Sequence, residues 1–104
     1  MANELDRLQK WYLSQCNGDW EHTYGVTIEN IDNPGWTLSV QLADTSLHES
    51  NFEPRSVQRS DADWIHCAVS DMQFRGSGGA QNLTEILRVF LDWAEKHDGG
   101  TSAD

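Results

Sequence analysis

Cys16, His22, His66 and Cys67 are residues of the types that bind zinc. No pair among them has the spacing of a zinc finger or ribbon. His66 and Cys67 are adjacent, and on a strand their side chains point to opposite faces. A nucleophilic Cys67 would need a base within reach and an electropositive, partly exposed setting. Its neighbours Ile65, Ala68 and Val69 instead favour an inert, protonated thiol. Glu21, His22 and Asp32 could supply acid–base groups, but Glu21 and His22 are consecutive and diverge in extended chain. The stretch Arg75-Gly76-Ser77-Gly78-Gly79 precedes a predicted helix, where backbone N–H groups can hold an anion. It lacks the Gly-Lys-Ser/Thr ending of a phosphate-binding loop and reads as a flexible connection. No cofactor, resident metal or catalytic residue is expected. The competing reading is a small enzyme or metal-binding protein built on Cys16, His22 and Cys67.

Recognition is the chemistry that the remaining residues favour. Among the 5 tryptophans, Trp36 and Trp93 fall on predicted core faces. Trp20, at the entry to the first strand, and Trp64 are the candidate exposed anchors, since Trp is enriched at binding hot spots. The chain has 17 acidic against 7 basic residues, a formal charge of -10. No Lys or Arg lies between Lys10 and Arg55, whereas Asp19, Glu21, Glu29, Asp32, Asp44, Glu49 and Glu53 all do. Such an anionic body repels nucleic acid and anionic membranes. It attracts a basic protein, in an encounter that salt slows. Two cysteines are too few for a disulfide framework, and there is neither a positively charged leader nor a long apolar run. A reduced, cytoplasmic protein is the expectation.

The elements that must position these residues are legible from periodicity. Residues Leu5 to about Cys16 read as a helix with Leu5, Leu8, Tyr12 and Cys16 on one stripe and Trp11 beside it. Asp6 and Lys10 are spaced to pair on its wet side, and Asn17-Gly18 ends it. The period then changes to two: Tyr24, Val26 and Ile28 alternate with Thr23, Gly25, Thr27 and Glu29. Asn33-Pro34-Gly35-Trp36 predicts a type II turn, after which Trp36, Leu38, Val40 and Leu42 alternate cleanly with polar residues. Phe52 to Ser60, with Pro54 and two arginines, suits a short edge strand. Trp64 to about Ser70 forms a further strand, central or partly covered, with Ile65, Cys67 and Val69 on one face and Trp64, His66 and Ala68 on the other. Asn82 and Glu85 predict a capping box for a last helix whose apolar face is Leu83, Ile86, Leu87, Phe90, Trp93 and Ala94. Arg88, Asp92 and Lys96 are spaced to pair on its opposite side. The predicted architecture is α+β: an antiparallel meander of about four strands, with an N-terminal and a C-terminal helix packed on one face. Residues 1–98 make a single domain and 99–104 a flexible, Gly-rich tail.

Several of these residues also form a family pattern. Leu8-Gln9-Lys10-Trp11-Tyr12, Cys16-Asn17-Gly18-Asp19-Trp20-Glu21-His22, Tyr24-Gly25, Asp32-Asn33-Pro34-Gly35-Trp36, Asp63-Trp64 and Asn82-Leu83 stand in an order that resembles the immunity protein 53 family of bacterial polymorphic toxin systems. The resemblance runs from about Leu5 to Trp93 and is densest between Trp20 and Trp36. It implies an immunity-type α+β protein that binds and neutralises a cognate toxin domain, without catalysis. Charge alone suggests a basic toxin, and a nuclease's cationic groove as the natural target. The residues expected to make the contact are Trp20, Glu21, His22, Asp32, Asn33, Asp44 and Glu49.

Overall fold

Period-two patterning builds one sheet, and the two longer helices bury their apolar stripes on a single side of it. A computed structural model describes residues 3–97. The elements are α1 (Glu4–Gln15), α2 (Trp20–Thr23), β1 (Val26–Ile31), β2 (Gly35–Gln41), β3 (Arg55–Gln58), β4 (Trp64–Ser70), β5 (Gln73–Gly79) and α3 (Leu83–His97). The fold is α+β, as expected. The predicted tail, residues 99–104, lies outside the described residues.

The sheet has five antiparallel strands rather than four, in the order β1-β2-β5-β4-β3. This corrects the meander: β5 is inserted between β2 and β4, in the middle of the sheet. It is also the segment that the sequence presented as a flexible Gly-rich connection. Glycine is unfavourable in strands for want of a side chain to pack, but here the missing side chains make room. A Cβ on Gly76 would lie 2.5 Å from Ile86 Cγ2, and one on Gly78 would meet Ile86 Cδ1 at 3.0 Å. The glycines let α3 settle directly onto the central strand.

The hairpin turn also departs from expectation. Asn33–Pro34 is a cis peptide, and Gly35 opens β2 with no positive φ. Gly35 is required by proximity instead, since a Cβ there would overlap the Gly78 carbonyl of β5. Gly18, by contrast, has φ 94°, but it lies in the turn after α1, which ends at Gln15 with Cys16 as an extended cap rather than at the glycine as expected.

One face of the sheet carries Leu38 and Val40 from β2, Phe74 from β5, and Ile65 and Cys67 from β4, all buried. They pack against Ile86, Phe90 and Trp93 of α3, with Phe74 and Phe90 ring centroids 5.1 Å apart. Helix α1 packs on α3. Its buried residues are Leu8 and Trp11, while Leu5 and Tyr12 are 54% and 39% exposed. The buried stripe is therefore rotated from the expected one, because Trp11 turns inward to meet Phe90 and Trp20 edge-on.

Charges fasten the two helices chiefly across their interface, with Arg7–Glu4 at 3.8 Å the one pair along α1 among the described residues. Arg7 reaches Asp92 at 2.9 Å and Glu95 at 3.0 Å, and Arg88 reaches Glu4 at 2.9 Å. Of the predicted i, i+4 partners, Arg88 and Asp92 are engaged across this interface, while Asp6, Lys10 and Lys96 form no salt bridge among the described residues.

Candidate functional site

The residues expected to contact a partner separate into three structural roles. Trp20 is the clearest correction, being 2% exposed. It opens the short helix α2 rather than a strand. Its ring lies edge-on to Trp11 and Tyr12, and its Nε1 donates to the Ala43 carbonyl at 3.0 Å. A buried indole with its N–H satisfied is a folding element.

Glu21 is half-buried and engaged with the backbone. Its carboxylate accepts from the Asn17 and Gly18 N–H groups, each at 2.9 Å. Its own backbone N–H, followed by those two donors, holds the carboxyl below the usual carboxylate range against the opposing effect of desolvation. Glu21 locks the Asn17–Gly18 turn and is not a free charge.

The remaining candidates, His22, Asp32, Asn33, Asp44 and Glu49, are all exposed. They fall at opposite ends of the β1–β2 hairpin. Asp32 and Asn33 form its tip. Asp44, at φ 61°, follows β2 at the other end. His22 lies near that end, because Trp20 bonds Ala43 and the Gly25 N–H donates to Gln41 Oε1. At about 3.3 Å per residue, β2 alone holds the two groups roughly 20 Å apart. Glu49 is further along the loop after β2, towards Asn51, whose carbonyl accepts from Trp93 Nε1 at 2.8 Å.

Ion pairing sharpens this picture. Among the described residues, every salt bridge uses Arg7, Arg59 or Arg88, with Glu4, Asp63, Glu85, Asp92 or Glu95. Among the described residues, none of the acids between Lys10 and Arg55 forms a salt bridge. Where acids are paired, their acidity shows it: Arg88 holds Glu4, and Arg59 with Asn82 holds Asp63, below the usual range.

With the helices on one face as expected, the sheet's other face is covered by none of the described helices. A feature the sequence did not disclose is a cleft there, of about 520 Å³, whose lining includes Glu29, Thr37, Ser39, His66, Arg75 and Ser77. Small hydroxyl side chains form the floor, while Glu29 stands on β1 and His66 and Arg75 on β4 and β5. The alternation of β2 and β4 contained this signal, but β5 had to be recognised as a strand before its polar side chains could complete the surface.

The chemistry available here is limited. Ser56 Oγ and His66 Nδ1 are 2.6 Å apart, a nucleophile–base distance. Among the described residues His66 has no carboxylate partner to orient it. Arg75 donates to Gln73 Oε1 at 2.9 Å and meets no acid. Cys67 is buried, and desolvation pushes its thiol up to about 11, so it is poorly suited to nucleophilic attack. Cys16 donates from Sγ to the Tyr12 carbonyl at 3.3 Å. Among the described residues, no group of three or more His, Cys, Asp or Glu side chains is placed to hold a metal ion. No described helix is long and apolar enough to cross a membrane.

The cap of α3 differs from the expected box. Asn82 Nδ2 donates to Asp63 at 2.9 Å and Glu85 at 3.1 Å, and its Oδ1 accepts from the Trp64 N–H at 3.3 Å. It ties the helix start to β4 rather than closing a local loop.

A family model described as immunity protein 53 matches residues 5–95 of the chain. That span coincides with the resemblance anticipated between Leu5 and Trp93. Searches of curated proteins and of solved structures returned no match.

Proposed function

We propose that this chain, which belongs to the immunity protein 53 family, binds a cognate bacterial toxin domain stoichiometrically through an acidic surface and so neutralises it in the cytoplasm. The observation that carries this reading is the distribution of uncompensated charge. The acids between Lys10 and Arg55 have no salt-bridge partner among the described residues, whereas Glu4 of α1, Asp63 before β4 and Glu85, Asp92 and Glu95 of α3 do. Apart from Glu21, which accepts from the backbone N–H groups of Asn17 and Gly18, these carboxylates repel one another with no ion pair to offset it. Facing a basic toxin they steer association and gain partners. A nuclease, whose substrate groove is cationic, is the toxin class this charge fits best.

The test is calorimetry of the purified protein against the toxin domain encoded beside it, at low and moderate salt. Tight one-to-one binding that weakens with salt is the expected result, and absence of binding at both salts overturns the reading. Side-chain variants then locate the surface. Asp44 sits at positive φ, where Asn is tolerated and Lys is not, so the clean pair is Asp44→Asn with Glu49→Lys. Together they lower the association rate at low salt by about tenfold, with the melting temperature nearly unchanged. Loss of both properties together would make these residues structural.

A further inference from the structure

The two edges of the sheet are built differently. Strand β3 at one edge is 4 residues long, follows Pro54 and is bracketed by Arg55 and Arg59. Shortness, proline and charge are the devices by which proteins stop an edge from pairing with another chain. Strand β1 at the other edge has none of them except a single charge. It is 6 residues, Val-Thr-Ile-Glu-Asn-Ile, with Thr27, Ile28, Glu29 and Asn30 all exposed. Ile28, on the helix side of the sheet, is 37% exposed, because α3 packs over β2, β5 and β4 and stops short of β1.

The backbone of β1 is half used. The Gln41 N–H donates to the Gly25 carbonyl, and hydrogen-bonded positions alternate along an antiparallel pair. In the continuous register from Val26↔Val40 to Ile31↔Gly35, Thr27, Glu29 and Ile31 therefore direct their N–H and C=O groups at β2. Val26, Ile28 and Asn30 direct theirs away from the sheet. None of those three residues makes any other backbone hydrogen bond among the described residues.

This edge also joins the separated acidic groups. Its first residues lie at the α2 end, near Asp44, and its last lead into Asp32 at the hairpin tip. Glu29 stands between, with Thr37 beside it on β2 and no ion-pair partner among the described residues.

We infer that β1 is the docking edge for the toxin: an extended segment of the toxin pairs with it as a sixth strand, placing a Lys or Arg beside Glu29. The inference rests on the toxin-binding reading above and names its surface. Main-chain pairing supplies affinity and the acids supply register, as in other cases of strand addition. A second copy of this chain is a poor occupant, since each copy carries a formal charge of -10 and two Glu29 carboxylates would meet along the seam.

The test is amide hydrogen exchange on the free protein and on its complex with the toxin domain encoded beside it. In the free protein the Thr27, Glu29 and Ile31 amides are slow and those of Val26, Ile28 and Asn30 are fast. In the complex the latter three slow by at least about tenfold, as a ladder bond requires. Ile28→Pro and Asn30→Pro each remove one outward N–H while sparing every β1–β2 bond. Each weakens binding by roughly tenfold, and Asn30→Pro serves should Ile28→Pro fail to fold. Tight binding with the three amides still fast overturns the edge and leaves the immunity reading standing. No binding by the unaltered protein overturns both. A toxin-free dimer that protects the same amides replaces the toxin strand by a second copy.

Discussion

Moving one residue along any central strand exchanges the chemistry of the sheet. On the covered side, Leu38, Gly76 and Cys67 lie in one cross-strand row. One step along, Ser39, Arg75 and Ala68 form the next row, on the open side. The first row is buried under α3, and the second contributes to the open cleft. Side-chain alternation makes such a division unavoidable in a sheet with helices on one side only. What it teaches is that folding and recognition draw on different atoms here. Stability comes from the aromatic contacts of Phe52, Phe74, Phe90 and Trp93, which leaves the open face and the β1 edge free of that duty.

The largest test of this division is a pair of truncations on the same strand. Phe74→Ala removes a fully buried ring and lowers stability by about 3–5 kcal/mol in urea denaturation. That is a large share of the roughly 5–15 kcal/mol available to a domain of this kind. Ser77→Ala, on the open side, changes stability by no more than about 0.5 kcal/mol. Comparable losses at the two positions would break the comparison.

A smaller effect examines how β5 came to be central. Gly76→Ala forces a methyl against Ile86 and costs about 1–3 kcal/mol. In an Ile86→Ala background, where that space is open, the same change costs markedly less. If the two losses simply add, close approach of α3 is not the reason for glycine.

That glycine also explains what could be read from the sequence and what could not. Strand β2 was legible because Leu38 and Val40 alternate with polar residues, β4 because Ile65, Cys67 and Val69 share one face of a strand apolar on both, and β3 because Pro54 and its arginines suit an edge. Helix α3 was legible from its broad apolar face. Strand β5 was hidden because Gly76, Gly78 and Gly79 carry a loop-like composition, and their role is set by Ile86, Trp64 and Ala62, residues distant in sequence. The open cleft was hidden with it. Trp20 and Glu21 belong to the densest part of the family pattern, yet nothing local distinguishes an exposed anchor from a ring that donates to Ala43, or a free acid from one bound to Asn17 and Gly18. The exposed candidates His22, Asp32, Asn33, Asp44 and Glu49 were legible as surface charge and polarity. Their separation to two ends of the hairpin was not.

Glu21 gives the smallest effect and the finest test, because it lies on the boundary between the two kinds of residue. It is accessible enough to meet a partner, yet its carboxylate is bound to backbone N–H groups. Its own backbone N–H, and then those of Asn17 and Gly18, hold its carboxyl below the ordinary value of 4.5 in the folded protein. A lowered folded value means that the charged form stabilises the fold above pH 4.5 and that this contribution disappears as pH falls through the folded value. Glu21→Gln, which keeps the shape and removes the charge, is therefore less stable than the unaltered protein at pH 7. The gap is constant down to about pH 5 and closes below the ordinary carboxylate range. Melting curves of the two proteins across that range measure it directly. A gap that stays constant through pH 3, or weaker toxin binding by Glu21→Gln with no loss of stability, would move Glu21 from the folding residues to the recognition surface.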